Sequence, residues 1–303
     1  MQNQLNPPKS AKHGAAAGNA VRPERADWTI DQGWQNYTPA EHAVWKTLFE
    51  RQTRLLPGRA CDEFVQGMNS LPIGAEQIPD FDHLSEVLLK RTGWQVVAVP
   101  GLVPDDVFFS HLAMRRFPAG QFIRKPHELD YLEEPDVFHD VFGHVPMLMN
   151  PYIADFIQAY GEGGLRAAKL GMLKHLARVY WYTVEFGLVK QADGLRIYGA
   201  GIASSRTESV FALDDPSPNR LGFDLERVMR TDYRIDDFQE SYFVIDGLQT
   251  LLELARIDFA SLYRRLADQP YQYLPGTVLD SDVVLSRGTG HYHHGGKREK
   301  LAS

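Results

Sequence analysis

The chain has 303 residues, enough for one large domain or two of ordinary size, and its 44% hydrophobic content excludes a disordered or collagen-like protein. A formal net charge of −7 gives no bulk electrostatic reason to bind nucleic acid or an anionic membrane, and the single cysteine, Cys61, cannot form an internal disulfide. With no apolar stretch long enough for a bilayer span and a polar start from Met1 to Pro8, the expectation is a cytoplasmic protein.

Residues 1–30 are rich in Ala, Gly, Asn, Pro and Lys without periodicity, so a flexible N-terminal tail is expected. Thr38-Pro39-Ala40-Glu41 has the pattern of a capping box with proline at the first helical position, followed by the apolar stripe of Val44, Leu48 and Leu55 up to Gly58. Short strands are predicted over Gln95–Val99 and Phe117–Arg124. Asn150-Pro151 opens a helix through Phe156 and Tyr160, and a longer one is expected near Leu165–Lys190. Another short strand follows at Arg196–Gly199, then helices over Asp237–Ile245, Leu248–Ala255 and Phe259–Ala267. From 276 onward, Gly, Ser and charged residues predict a second tail, with His291, His293 and His294 as part of it rather than as a metal site. The expected architecture is therefore mainly α with a small β element, as one domain over residues 31–275.

The densest chemical signal is Pro135-Asp136-Val137-Phe138-His139-Asp140-Val141-Phe142-Gly143-His144-Val145-Pro146. Histidines five apart on an ideal helix differ by roughly 140° in azimuth, so they do not share a face. Gly143 and Pro146 suggest that the helix loosens and lets His144 turn back towards His139. With 11 histidines, chance supplies roughly 0.4 such pairs, and the spacing alone is weak evidence. Glu185 changes the balance. It is the one charged residue of Val179–Val189, and a carboxylate in such surroundings needs a cationic partner. An arginine would serve, and so would a metal held also by His139 and His144. Two histidines and one carboxylate suit a non-haem Fe(II) oxygenase with open positions, but zinc hydrolases use the same ligand types.

From about Trp94 to Tyr263 the chain resembles the pterin-dependent aromatic amino acid hydroxylases, most closely the short bacterial phenylalanine 4-hydroxylases. The resemblance rests on Pro135-Asp136 followed by the His139/His144 pair, on Tyr180-Trp181-Tyr182-Thr183-Val184-Glu185-Phe186-Gly187-Leu188, and on Tyr198-Gly199-Ala200-Gly201-Ile202-Ala203-Ser204-Ser205. Asp237-Phe238-Gln239 with Tyr242-Phe243-Val244 is a fourth matching stretch.

The resemblance implies Fe(2+) at His139, His144 and Glu185, with O2 and a tetrahydropterin as co-substrates and conversion of L-phenylalanine to L-tyrosine. It also implies that Arg124 binds the substrate carboxylate while Asp136 orients it, and that Trp181 and Pro135 line the ring pocket. Ser204 would fix the imidazole of His139. The pterin would stack on Phe108, with backbone groups from Gly101 through Val103 to Asp105 reading its polar edge and Asp140, Tyr180 and Tyr233 nearby. Asp140 stands where the animal enzymes carry glutamate, and Leu132 where they carry threonine. Neither a regulatory domain nor a tetramerising helix is legible at the ends, which implies a monomer. Trp181 and an apolar Ile235 facing the ring would favour phenylalanine over tryptophan and tyrosine, since a buried hydroxyl would go unsatisfied. Alternative readings are a tryptophan hydroxylase of the same family, a zinc hydrolase, or a non-catalytic metal-stabilised sensor of aromatic amino acids.

Overall fold

A computed structural model describes residues 25–130 and 134–294. Helix α1 (Pro39–Leu55) starts as its sequence dictates: Glu41 N–H donates to the Thr38 hydroxyl at 3.2 Å, and the Glu41 carboxylate accepts from Thr38 N–H at 2.7 Å. Helices α2 (Asp62–Ser70) and α3 (Phe81–Arg91) follow. Strand β1 (Gln95–Val99) then crosses over through α4 (Asp105–Ala113) to a parallel partner, β2 (Arg116–Gly120). That strand ends earlier than its β-branched and aromatic run suggests, so Arg124 lies beyond it in a loop.

Two segments depart from ordinary helical winding. Phe138–His144 and Trp181–Glu185 are both π-helical. Between them lie α5 (Pro151–Lys169), capped by the Asn150 side chain, and α6 (Leu173–Tyr180). The single long helix expected over Leu165–Lys190 is thus broken, because Gly171 at φ +67 turns the chain left-handed.

Strands β3 (Leu188–Gln191) and β4 (Gly194–Ile197) form a hairpin. After α7 (Ala200–Ala203) and α8 (Arg206–Asp214) come β5 (Asn219–Gly222), α9 (Leu225–Met229) and β6 (Ser241–Ile245). Helices α10 (Gln249–Leu254) and α11 (Phe259–Asp268) precede β7 (Val284–Ser286) and a last turn of helix, α12 (His291–His294). The five-stranded sheet has the order β4-β3-β6-β5-β7, with β6 parallel to both neighbours. No helix forms over Asp237–Ile245: its first four residues carry no regular element, and Ser241–Ile245 is the central strand of this sheet. All five residues of β6 are buried, so the run shows neither the alternation of a half-exposed strand nor a helical stripe.

The described parts of both expected tails pack against the domain. Ile30 N–H donates to Ala98 O at 2.9 Å, and Asp27 pairs with Arg116 at 3.0 Å. At the other end β7 pairs antiparallel with β5, and Asp282 forms a buried ion pair with Arg227. Tyr292 packs against Phe211 and Phe238. The domain therefore does not stop at 275. Residues 1–24 and Leu132 lie outside the described residues.

The core gathers around Trp45, Trp94, Phe138 and Phe142, all fully buried. Phe138 and Phe142 stack at 4.8 Å, and Trp45 meets Phe138 edge-on. Burying each such side chain contributes roughly 1.5–3 kcal/mol, so the first π segment is anchored by its own apolar face. Among the described residues no helix is long and apolar enough to cross a membrane.

Candidate active site

The π segments place the candidate ligands. Wider turns bring a residue and the fifth after it onto nearly one face, which an α-helix does not allow. The loosening expected around Gly143 and Pro146 thus takes the form of π winding that begins at Phe138. Gly143 is needed there: a Cβ at this position would lie 3.0 Å from Ala200 O and 3.1 Å from Ala200 Cβ. Gly199 has the same role opposite Glu185, whose carbonyl oxygen would be 2.5 Å from an added Cβ.

His144 Nε2 lies 3.3 Å from His139 Nε2, and Glu185 Oε1 and Oε2 lie 3.2 and 3.5 Å from His144 and His139. Donors about 2.0–2.2 Å from one first-row ion form a triangle of this size. The tautomer of His139 follows from its neighbours. Ser204 Oγ donates its one proton to Ala200 O at 2.8 Å, so it must accept from His139 Nδ1–H at 2.9 Å. That leaves the His139 Nε2 lone pair facing the triangle. Burial pushes the His139 imidazolium down to about 4, against the charge of Glu185, so the ring is neutral at physiological pH. A neutral imidazole lone pair, a second imidazole and a carboxylate converging in the interior are a donor set that fits a divalent cation. Among the described residues this is the group of His, Cys, Asp and Glu side chains that could hold a metal ion.

Asp136 joins the triangle to the neighbouring loop. It is fully buried and accepts from the N–H groups of Arg124 and His139, at 2.9 and 3.0 Å. It also takes one edge of the Arg124 guanidinium, through Nε and Nη2 at 2.8 Å each. The other edge, Nη1 with the second N–H of Nη2, is not engaged by Asp136; Nη1 makes a long 3.4 Å contact to Leu129 O.

Gly101, Val103, Asp105, Phe108, Asp140 and Tyr180 line one cleft together with His139 and Glu185. Pro135 lines this same cleft. Asp140 accepts from Gly120 N–H at 2.7 Å, while burial pushes its carboxyl up to about 7. Tyr233 stacks on Trp181 with ring centroids 4.3 Å apart. Ile235 is 50% exposed, so the expectation that it is buried against the substrate ring is corrected.

Two residues of this region were given no role from sequence. Glu134 Oε1 accepts from Leu102 N–H at 3.0 Å and so shapes the cleft loop. Gln239 Oε1 accepts from the Trp181 indole at 2.9 Å. Gln239 belongs to a recognisable motif, but nothing local marks its partner 58 positions away.

Comparison with known proteins agrees with this geometry. The phenylalanine-4-hydroxylase of Caulobacter vibrioides is 67% identical over 274 residues, covering 90% of this chain and 93% of the relative. The iron- and phenylalanine-bound crystal structure of the Chromobacterium violaceum phenylalanine hydroxylase superposes with a TM-score of 0.82 at 55% identity, over 86% of this chain and 94% of that one. A structure of the same enzyme with iron(III) and 7,8-dihydrobiopterin gives a TM-score of 0.82 at 56% identity, over 86% and 93%. The model of the biopterin-dependent aromatic amino acid hydroxylases matches residues 32–278, and the chain belongs to that family.

Proposed function

We propose that this protein is an iron- and tetrahydropterin-dependent monooxygenase that converts L-phenylalanine to L-tyrosine with O2. The observation that carries this reading is the triangle of His139, His144 and Glu185, 3.2–3.5 Å on a side, at the edge of a cleft in a chain of this family. When bound, Fe(2+) and the tetrahydropterin supply O2 activation and the two electrons that one oxygen atom requires.

The chain's own residues bind and orient. His139, His144 and Glu185 hold the metal, and Ser204 keeps His139 in the ligating tautomer. The free edge of Arg124 takes the substrate carboxylate, with Asp136 locking the guanidinium from the other side. Trp181 provides a wall for the substrate ring, and Pro135 lies where the cleft and the ring site meet. Phe108, Tyr180, Asp140 and the Gly101–Val103–Asp105 loop form the pterin slot. Tyr233, expected near the pterin, stacks on Trp181 and supports that wall.

The catalytic unit is read as one mainly α domain acting as a monomer in the cytoplasm, without nucleic acid or membrane partners. The charge of −7, which gives no bulk attraction to nucleic acid or an anionic membrane, and the absence of a second cysteine for an internal disulfide support that reading. The deciding experiment is anaerobic iron reconstitution followed by oxygen uptake and tyrosine assays. Uptake and tyrosine formation that require both pterin and phenylalanine support the function; uptake independent of either overturns it. Equal-concentration competition between phenylalanine and tryptophan separates a phenylalanine enzyme from a tryptophan enzyme of the family.

A further inference from the structure

We propose that Gln239 is a positioning residue that sets the orientation of Trp181 and thereby which aromatic ring is accepted. This rests on Trp181 being the wall of the ring site. Trp181 stacks on Tyr233, with centroids 4.3 Å apart and nearly parallel, and meets Phe186 at 4.7 Å with the two rings tilted by 35°. Stacking of this kind resists tilting but leaves the indole free to slide and rotate in its own plane. A bond at the indole edge removes that freedom. Gln239 Oε1 makes it, accepting from Trp181 Nε1–H at 2.9 Å.

The orientation of the Gln239 amide is set by what surrounds it. Its Nε2 donates to Arg234 O at 2.8 Å, and a carbonyl oxygen can only accept. An indole N–H can only donate, so the flipped amide would put donor against donor at Trp181 and acceptor against acceptor at Arg234. Gln239 is 2% exposed, and its backbone N–H points to the buried carboxylate of Glu208 at 3.5 Å. The same Glu208 oxygen accepts from the Tyr242 hydroxyl. A fixed amide in the interior therefore ties a residue of the second π segment to the loop that carries Tyr233.

Gln239→Met keeps the length and apolar bulk but removes the acceptor. In the iron-loaded enzyme it is expected to raise KM for phenylalanine about 10-fold, the scale of one lost buried hydrogen bond, with kcat changed less than about 3-fold. The ratio of tryptophan to phenylalanine turnover should rise by a similar factor, with iron content unchanged. Trp181→Phe removes the donor from the other side and should move the same two quantities, also where Gln239→Met does not fold. Combining the two substitutions should add nothing to Trp181→Phe alone. Unchanged KM and selectivity in either single variant, or effects that multiply in the double variant, overturn the proposal. Absence of pterin- and phenylalanine-dependent tyrosine formation in the unsubstituted enzyme would instead overturn the proposed function.

Discussion

The metal side and the proposed ring side of this site are built by opposite means. On the metal side, His144 and Glu185 project from π segments whose neighbours Val141, Phe142, Thr183 and Val184 are all buried. Packing there leaves the ligands little room to move. On the ring side, the chain from 232 to 240 carries no regular element and is held by side-chain bonds. Tyr182 donates to Asp232 O at 2.7 Å, Tyr292 to Asp237 at 2.9 Å, and Arg178 pairs with Asp232. Metal binding should therefore tolerate changes in this loop, whereas ring selection should not.

The sharpest way to break this contrast is at the triangle. His144→Ala and Glu185→Ala should each weaken iron binding by at least about 100-fold, more than the loss of an outer partner, because a ligand itself is removed. Glu185→Gln is the cleaner variant, since it preserves the shape and removes only the charge. Elemental analysis after anaerobic reconstitution reads the outcome. A full iron complement in any of the three would show that the triangle is not the metal site.

The next largest effect lies where the two sides meet. Glu208 sits on α8, a few residues beyond Ser204, and faces the Tyr242 hydroxyl and the Gln239 amide, with Asp237 adding like charge. Burial pushes its carboxyl from 4.5 up to about 7. The folded chain thus binds a proton that the unfolded chain has released between those two values. Its contribution to stability is complete below about pH 4.5, declines as pH rises, and is a constant penalty of about 3 kcal/mol above pH 7. Glu208→Gln keeps an acceptor oxygen and cannot ionise. In urea unfolding the variant's advantage over the parent should grow by about 2 kcal/mol between pH 5.5 and pH 8. A constant difference across that range would mean that Glu208 is ionised throughout.

Arg124→Lys comes third. A lysine cannot both occupy Asp136 and present a planar edge to a carboxylate. Losing one charge-assisted pair costs on the order of 2–3 kcal/mol, or roughly 30- to 150-fold in the phenylalanine requirement. Iron content should not change. An unaltered phenylalanine dependence in steady-state assays would reduce Arg124 to a structural partner of Asp136.

The same contrast explains what could be read from the sequence. The Thr38 capping box, the Asn150 cap and the unusual charge of Glu185 are local signals, and local signals survive in a linear chain. The motifs around His139, Trp181 and Ser204 carry the family pattern. The central strand β6 was hidden because burial on both faces erases its period. The ordered C-terminal segment was hidden because its partner strand lies 66 residues earlier, as Arg220 and Ser286 show. Ile235 looked like a wall because it is apolar, whereas exposure is a property of the loop around it.

Ser204→Ala should have the smallest effect of the series. The hydroxyl touches no ligand atom of the triangle; it accepts from His139 Nδ1–H and so keeps the Nε2 lone pair turned inward. Without it the imidazole can adopt the other tautomer, and part of the population must shift a proton before it can bind metal. Loss of such an outer partner typically weakens metal affinity 10- to 100-fold. The low end, about 10-fold, is expected here, because Asp136 still holds the His139 backbone and the π segment is anchored by Phe138 and Phe142. Titration against a competing chelator measures this directly. Affinity within about 2-fold of the parent would mean that packing alone fixes His139, making the metal side even more independent of polar bonds than the contrast with the ring side implies.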